Sequence, residues 1–325
     1  MNTDMLKISV CMATYNGEKY IKEQLHCILE QTLQPDEVIV CDDGSTDGTV
    51  EIIREFIEDN NLGMHWKLKI NQTNKGYPGN FYFAMSHCTG DVVFLADQDD
   101  IWKLDKLEKM TEQLKEHPDI KCLCCKFALV DNEGDAIFTI MKPTQNHGTG
   151  KLRSVTVGDV FYKSEWPGMV LAYRNEWYQT WSRELKNNQT VLQQIPHDFL
   201  LCARAGEERS FYQMDEELAY HRRHEQNVGG EEYRLSKLLN KRRKLQEIED
   251  YLHILKAFSQ GAVLRTEEGK RALEDKQSSM QERLAALESG KIGAVLSNAW
   301  RNRSRVRLAT VICDVMIVKR KGRTN

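Results

Sequence analysis

The chain has 325 residues, 41% hydrophobic and 29% charged, which suits one large folded domain or two smaller ones and argues against a disordered chain. Its nine cysteines are an odd number, scattered mostly through apolar runs, which argues against a disulfide framework and for a reducing compartment. No apolar stretch approaches the ~20 residues of a membrane span, and the net charge of −3 hides an asymmetry: residues 291–325 carry nine Lys/Arg and one Asp, so +8, on a body that is −11.

In chain order, Met1–Lys7 runs into a strand without an apolar leader, so no secretory signal is expected. Ile8–Met12 reads as a buried strand, Tyr20–Glu30 as a helix, and Glu37–Cys41 as a second strand. Val50–Ile57 reads as a helix capped by Thr46 or Asp47. His65–Ile70 is a third strand, Asn80–His87 a helix and Asp91–Ala96 a fourth strand. Strands alternating with helices predict a mostly parallel α/β sheet covered by helices, with ligands at the carboxyl ends of its strands. Further on, Lys103–Glu116 reads as a helix, Lys121–Val130 and Gly168–Tyr173 as strands, and the segment from Asp198 to Ala203–Gly206 as a helix. Cys122, Cys124 and Cys125 read as small residues on a buried strand rather than a zinc site, because no second Cys or His pair follows at ligand spacing. Beyond Gly229-Gly230, residues 231–290 are charge-rich, proline-free and helix-prone.

Polar motifs follow the strands. Ala13-Thr14-Tyr15-Asn16-Gly17 comes after the first, and Asp42-Asp43-Gly44-Ser45-Thr46-Asp47-Gly48-Thr49 after the second. Carboxylates there suit ribose hydroxyls or base N–H groups, although Asp, Gly and Ser also populate turns for conformational reasons. Asp97-Gln98-Asp99-Asp100-Ile101-Trp102 packs three carboxylates into four residues. They repel unless water screens them or a cation such as Mg²⁺ or Mn²⁺ lies between; the alternative is a solvated helix start. In Ile195-Pro196-His197-Asp198, an aspartate opening an apolar helix is either a cap or a general base with raised pKa. Tyr220-His221-Arg222-Arg223-His224 offers a metal ligand and diphosphate contacts, or a solvated basic face.

In this order and spacing the motifs resemble family 2 glycosyltransferases of the GT-A fold over about residues 7–230, and most of all the bacterial branch containing rhamnosyltransferases of surface polysaccharides. The resemblance implies a glycosyltransferase domain over 1–230, with a nucleotide-binding half to about 102 and an acceptor half from 103, followed by a helical region over 231–325. It implies an inverting, Mn²⁺- or Mg²⁺-dependent transfer of a sugar, rhamnose first, from a dTDP- or UDP-linked donor to a glycan or lipid-linked acceptor. Ala13, Thr14, Tyr15, Asn16, Asp42, Asp43, Asn74, Lys75, Gly76, Asp97 and Gln98 would line the nucleotide-sugar. Asp99 and His224 would hold the metal, and Arg222 and Arg223 the diphosphate. Trp166, Gly168, Met169 and His197 would meet the acceptor, and Asp198 would be the base. His197 stands where many members carry an acid, and His221 where Tyr is frequent.

The competing classes are a sugar-phosphate nucleotidyltransferase, which would want a Gly-rich, Arg-containing loop after the first strand, and an inactive nucleotide- or sugar-binding homologue. No G-x-G-x-x-G supports a dinucleotide oxidoreductase, and no nucleic-acid partner is expected. In the tail, Ile292, Val295, Leu296 and Ala299 share a helical face, as do Leu308, Val311, Ile312 and Val315, beside Arg301, Arg303, Arg305, Arg307 and Lys319-Arg320-Lys321. That is the profile of a helix lying on an anionic membrane, at the inner face of the cell membrane in a cytoplasmic protein, or of a basic helix packed on the body or on a partner chain.

Overall fold

The strand that the first apolar run forms, β1 (Ile8–Thr14), is buried on both faces, and so is β2 (Glu37–Asp42). Central parallel strands are covered on both sides, which is why they read as unbroken apolar runs. The computed structural model describes residues 5–135, 148–163, 166–185, 188, 193–224, 239–303 and 306–320. Gly229-Gly230, Arg305 and Lys321 lie outside them.

After β1 come α1 (Ile21–Leu29), β2, α2 (Thr49–Asp59), β3 (Trp66–Ile70), α3 (Gly76–Met85), β4 (Val92–Asp97), β5 (Ile101–Trp102) and α4 (Lys106–Glu116). Then follow β6 (Cys122–Val130), β7 (Leu152–Ser154), α5 (Val157–Lys163), a 3₁₀ turn (Gly168–Val170), β8 (Leu171–Arg174), α6 (Asn175–Leu185), α7 (His197–Glu207) and β9 (Phe211–Arg222). The C-terminal helices are α8 (Lys241–Gln260), α9 (Glu267–Ser289), α10 (Ile292–Arg301) and α11 (Leu308–Lys319).

Among the described residues the strands form one sheet in the order β3-β2-β1-β4-β8-β6-β9-β5, with β7 on β9. The β3-β2-β1-β4 half is parallel. Across β4 the sheet becomes mixed: β8 is antiparallel to β4 and β6, and β9 runs parallel to β6. Parallel register sets Thr14 beside Asp42 and Ala13 beside Asp97, so three strand ends deliver their polar residues to one edge.

Several local expectations shift. The α2 N-cap is Gly48, without a side-chain cap of its own; Asp47 accepts from the Thr49 N–H at 3.0 Å and Glu18 from the Gly48 N–H at 2.8 Å. Helix α3 begins at Gly76 rather than Asn80, because Pro78 sits in the first turn, where its missing N–H leaves no bond unmade. Gly168–Val170 is a 3₁₀ turn and only Leu171–Arg174 is strand. Cys122, Cys124 and Cys125 lie buried on β6.

The chain divides into two compact units. The first holds the described residues up to Thr156 and from Trp166 to Arg223, and therefore the whole sheet. The second holds α5 and the described residues from His224 on. In it α9 contacts α5, α8, α10 and α11. Thr266 caps α9 by accepting from the Gly269 N–H at 3.0 Å, and Gly290, with φ of +64°, ends it.

Candidate active site

Two loops after β1 and β2 are locked together. Asn16, with φ of +49°, donates its backbone N–H to the Ser45 hydroxyl at 2.9 Å, and its side-chain carbonyl accepts from the Thr46 N–H at 2.9 Å. The Gly17 N–H reaches Thr49 Oγ1 at 2.8 Å. Gln98 closes the other side: its carbonyl accepts from the Tyr15 N–H at 2.9 Å and its amide donates to the Tyr15 carbonyl at 3.1 Å. A Cβ at Gly17 would lie 2.3 Å from Gln98 Oε1, so this clamp requires glycine. Gln98 thus orients a loop whose Tyr15 side chain is exposed.

Asp42 and Asp43 are buried. Asp42 accepts from Thr14 Oγ1 at 2.9 Å, from the Ser45 hydroxyl, and from the N–H groups of Gly44 and Ser45 at 3.1 and 2.8 Å. Asp43 accepts from Asn71 Nδ2 at 2.7 Å and from the Lys75 and Gly76 N–H groups at 2.8 and 2.9 Å. Their carboxylates therefore shape the loops. Asn74 donates to the Asp43 carbonyl at 3.1 Å, which brings Asn74, Lys75 and Gly76 to the same edge. Asn80, which the motifs did not mark, ties the strand ends together through the Cys41 carbonyl at 2.8 Å.

The Asp97–Asp100 turn is held from behind. Asp100 is buried, and one of its oxygens accepts from His221 Nδ1 at 2.8 Å and from the Arg222 N–H at 3.1 Å. Its other oxygen is buried with no hydrogen-bond partner among the described residues. The Arg222 guanidinium, 2% exposed, donates to the carbonyls of Asp99 at 3.1 Å and Asn132 at 2.7 Å and pairs with Glu23. It also lies over the Tyr20 ring. Its donors serve the scaffold, which corrects the expectation that Arg222 holds a diphosphate; Arg223, the next residue, ends the first unit.

Lys106 is fully buried in the first turn of α4. Its ammonium donates to the Met169 carbonyl at 2.5 Å and lies 3.6 Å from the centre of the Trp102 ring. Burial pushes its pKa down to about 8, against the opposing pull of Cys125, Asp100 and Asp97. Its run, Lys103-Leu104-Asp105-Lys106-Leu107, reads as an ordinary amphipathic surface, so no local signal marked it.

Asp198 opens α7. Burial pushes its pKa up to about 6, against hydrogen bonds from the backbone N–H groups of Phe199 and Gly168. Beside it, His197 is fully buried, stacked on Phe81 at 3.7 Å, with its pKa pushed down to about 3 by burial. A Cβ on Gly168 would meet His197 Nε2 at 2.8 Å, so Gly168, His197 and Asp198 form one tight cluster. Trp166 and Met169 are buried beneath it, as core rather than as a surface open to an acceptor.

Asp97 draws these parts together. Burial first, then the negative charges of Asp100, Asp99 and Asp198, hold its carboxyl well above the usual carboxylate range, with Lys106 opposing. Four carboxylates from two distant segments therefore share one field. Among the described residues no group of three or more His, Cys, Asp or Glu side chains is arranged to hold a metal ion. His224, a predicted metal ligand, falls in the second unit. A hard cation that takes one or two carboxylates and completes its shell with water and phosphate oxygens nonetheless fits the Asp97–Asp100 turn, because it relieves the repulsion there.

A half-parallel sheet with polar loops at the ends of β1 and β2, an acidic turn after β4 and a carboxyl on α7 defines the GT-A architecture of nucleotide-diphospho-sugar transferases. Residues 9–158 match the model of glycosyl transferase family 2. A Bacillus subtilis relative named EpsE is 37% identical over 111 residues, 34% of this chain and 39% of that protein. The dTDP-rhamnosyl transferase RfbG of Shigella flexneri is 27% identical over 67% of this chain and 73% of its own. The chain thus spans about two fifths of EpsE and about three quarters of RfbG. The crystal structure of S. aureus TarS 1–349 with UDP-GlcNAc superimposes with a TM-score of 0.53 at 20% identity, over 97% of this chain and 91% of that one.

Proposed function

We propose that the protein is an inverting, metal-dependent glycosyltransferase that moves a sugar from a nucleoside-diphosphate donor to a hydroxyl of a growing surface polysaccharide or lipid-linked glycan. The observation that carries this reading is the carboxylate field shared by Asp97, Asp99, Asp100 and Asp198, with Asp198 near pH 6. Such a value lets a carboxylate accept a proton at neutral pH while most of it stays ionised.

In this reading the exposed Tyr15 ring and the Asn74-Lys75-Gly76 edge receive the nucleotide. Asp97 turns to the ribose or sugar, and Asp99 would hold Mn²⁺ or Mg²⁺. When bound, the cation neutralises negative charge on the departing diphosphate. Arg223 supplies positive charge to the diphosphate. Asp198 removes the acceptor hydroxyl proton, and that oxygen attacks the anomeric carbon opposite the diphosphate, inverting its configuration in one displacement. Gly168 and His197 hold Asp198 in place on the acceptor side. Rhamnose from a dTDP donor is the first choice of sugar, supported by the likeness to RfbG. Residues 1–230 serve as the catalytic part and 231–325 as a helical part that contacts the inner face of the cell membrane.

Thermal unfolding with dTDP, UDP and GDP, each with and without Mn²⁺, tests this reading. A ligand at 100 times its Kd stabilises by about 2.7 kcal/mol. A Mn²⁺-dependent rise with one nucleotide is expected; no rise with any of them refutes the donor site.

A further inference from the structure

Helices α10 and α11 bury Val295, Ile317 and Val318 together with Asn298 and Asp314, and leave several other large apolar side chains outward. Asn298 and Asp314 are buried, whereas Leu296, Trp300, Leu308, Ile312 and Met316 are exposed, Trp300 at 70% and Leu308 at 75%. At about 100° per residue, Leu296 and Trp300 each stand roughly 160° around α10 from Asn298, and Ile312 and Met316 stand likewise around α11 from Asp314. A bidentate bond fixes this rotation: Arg283 on α9 donates to both Asp314 oxygens at 2.8 Å. In α10, Asn302 donates to the Asn298 carbonyl at 3.1 Å on the inner side.

The clustering is local. Of the eleven large apolar residues exposed among the described residues, five fall within 296–316. Residues 296–320 also expose Arg301, Arg303, Arg307, Lys319 and Arg320, while their one acid among the described residues, Asp314, faces inward. Arg303 lies 5.0 Å from the Trp300 ring centre, so an aromatic and a cation share one spot. No helix among the described residues is long and apolar enough to cross a membrane. An apolar stripe bordered by cations is what an interfacial helix presents to anionic headgroups. A two-fold pairing of this face with a second copy would set arginines against arginines.

We propose that the outward faces of α10 and α11 dock on the headgroup region of an anionic lipid bilayer, Trp300 and the leucine and isoleucine side chains entering the acyl boundary and the cations contacting lipid phosphates. This makes specific the membrane contact proposed above and does not depend on the donor site.

The test is co-sedimentation of the full chain with phosphatidylcholine vesicles and with phosphatidylglycerol-rich vesicles. Binding to the anionic vesicles is expected to be about tenfold tighter or more, and to weaken with salt. The variant Trp300→Ser/Leu308→Ser/Ile312→Ser should lose about tenfold of that affinity, and Arg301→Gln/Arg303→Gln/Arg307→Gln should lose the preference for anionic lipid. Both variants should keep the wild-type thermal response to nucleotide, which separates this proposal from the donor reading. Equal binding to both vesicle types, or unchanged binding by both variants, overturns it. So does a wild-type dimer that the serine variant converts to monomer, which would make the face a self-association surface.

Discussion

Above pH 6 most of Asp198 is ionised, and below it most is protonated, because burial has moved its pKa up to about 6. A base must be ionised to work, so kcat should fall as pH drops through about 6, and Asp198→Asn should lose ~10²–10⁴-fold in turnover while keeping the nucleotide response. The same shift has a stability sign. A carboxyl whose pKa is raised by folding contributes stability that is present below its unfolded value of about 3.9 and is lost as pH rises through 6. Asp198→Asn should therefore gain about 1–3 kcal/mol over wild type between pH 4 and pH 8, read by denaturant melts at both. Near-native turnover in the variant refutes the base assignment. Lys106 is the second residue whose charge matters. It is the buried cation that opposes the field of Asp97 and Asp100, and it holds the Met169 carbonyl. Lys106→Met should destabilise by about 2–3 kcal/mol, because it orphans a buried acceptor and leaves buried carboxylates uncompensated.

At the scale of elements, the contact between the 3₁₀ turn and α7 sets the position of Asp198. His197 cannot swing aside, since its ring is stacked on Phe81 and edged by Tyr77. Gly168→Ala would put a methyl 2.8 Å from His197 Nε2. Overpacking of that kind costs about 1–3 kcal/mol. Because the displaced group carries Asp198, kcat should fall more than nucleotide affinity does, which steady-state kinetics beside nucleotide titration would resolve. Equal losses in both would mean that the cluster has no separate acceptor-side role.

Arg222 works at the scale of the whole first unit. From β9 it reaches α1 through Glu23, the turn after β6 through Asn132, and the acidic turn through the Asp99 carbonyl. These segments are up to 199 residues apart. Arg222→Gln should lower stability by about 3 kcal/mol or more, seen as an earlier midpoint in denaturant, and should weaken metal-dependent nucleotide binding because the Asp97–Asp100 turn loses its support. Unchanged nucleotide affinity in a folded variant would show that the turn stands without it.

The apolar runs of β1, β2 and β4 and the acidic turn after β4 were readable from sequence, because a strand covered on both faces needs an unbroken apolar run and a ligand edge needs polar residues after it. Strand β9 was not readable: Gln213, Asp215, Glu216 and Glu217 interrupt it, and it forms by pairing with β6, about 90 residues earlier. The roles of Asp42, Asp43 and Arg222 were equally hidden. A carboxylate bound for a ligand and one bound for its own loop share one sequence signature, and only the position of donors from other segments tells them apart. Lys106 lay in an unremarkable run until the fold closed Met169 and Trp102 over it. The sequence by itself determined the first four strands and their intervening helices, the acidic edge and the basic, apolar-striped tail, since each depends on residues a few positions apart. The tertiary structure alone decided which charges face the site, which are walled in and which way the tail helices turn, since burial and pairing arise only when distant segments meet.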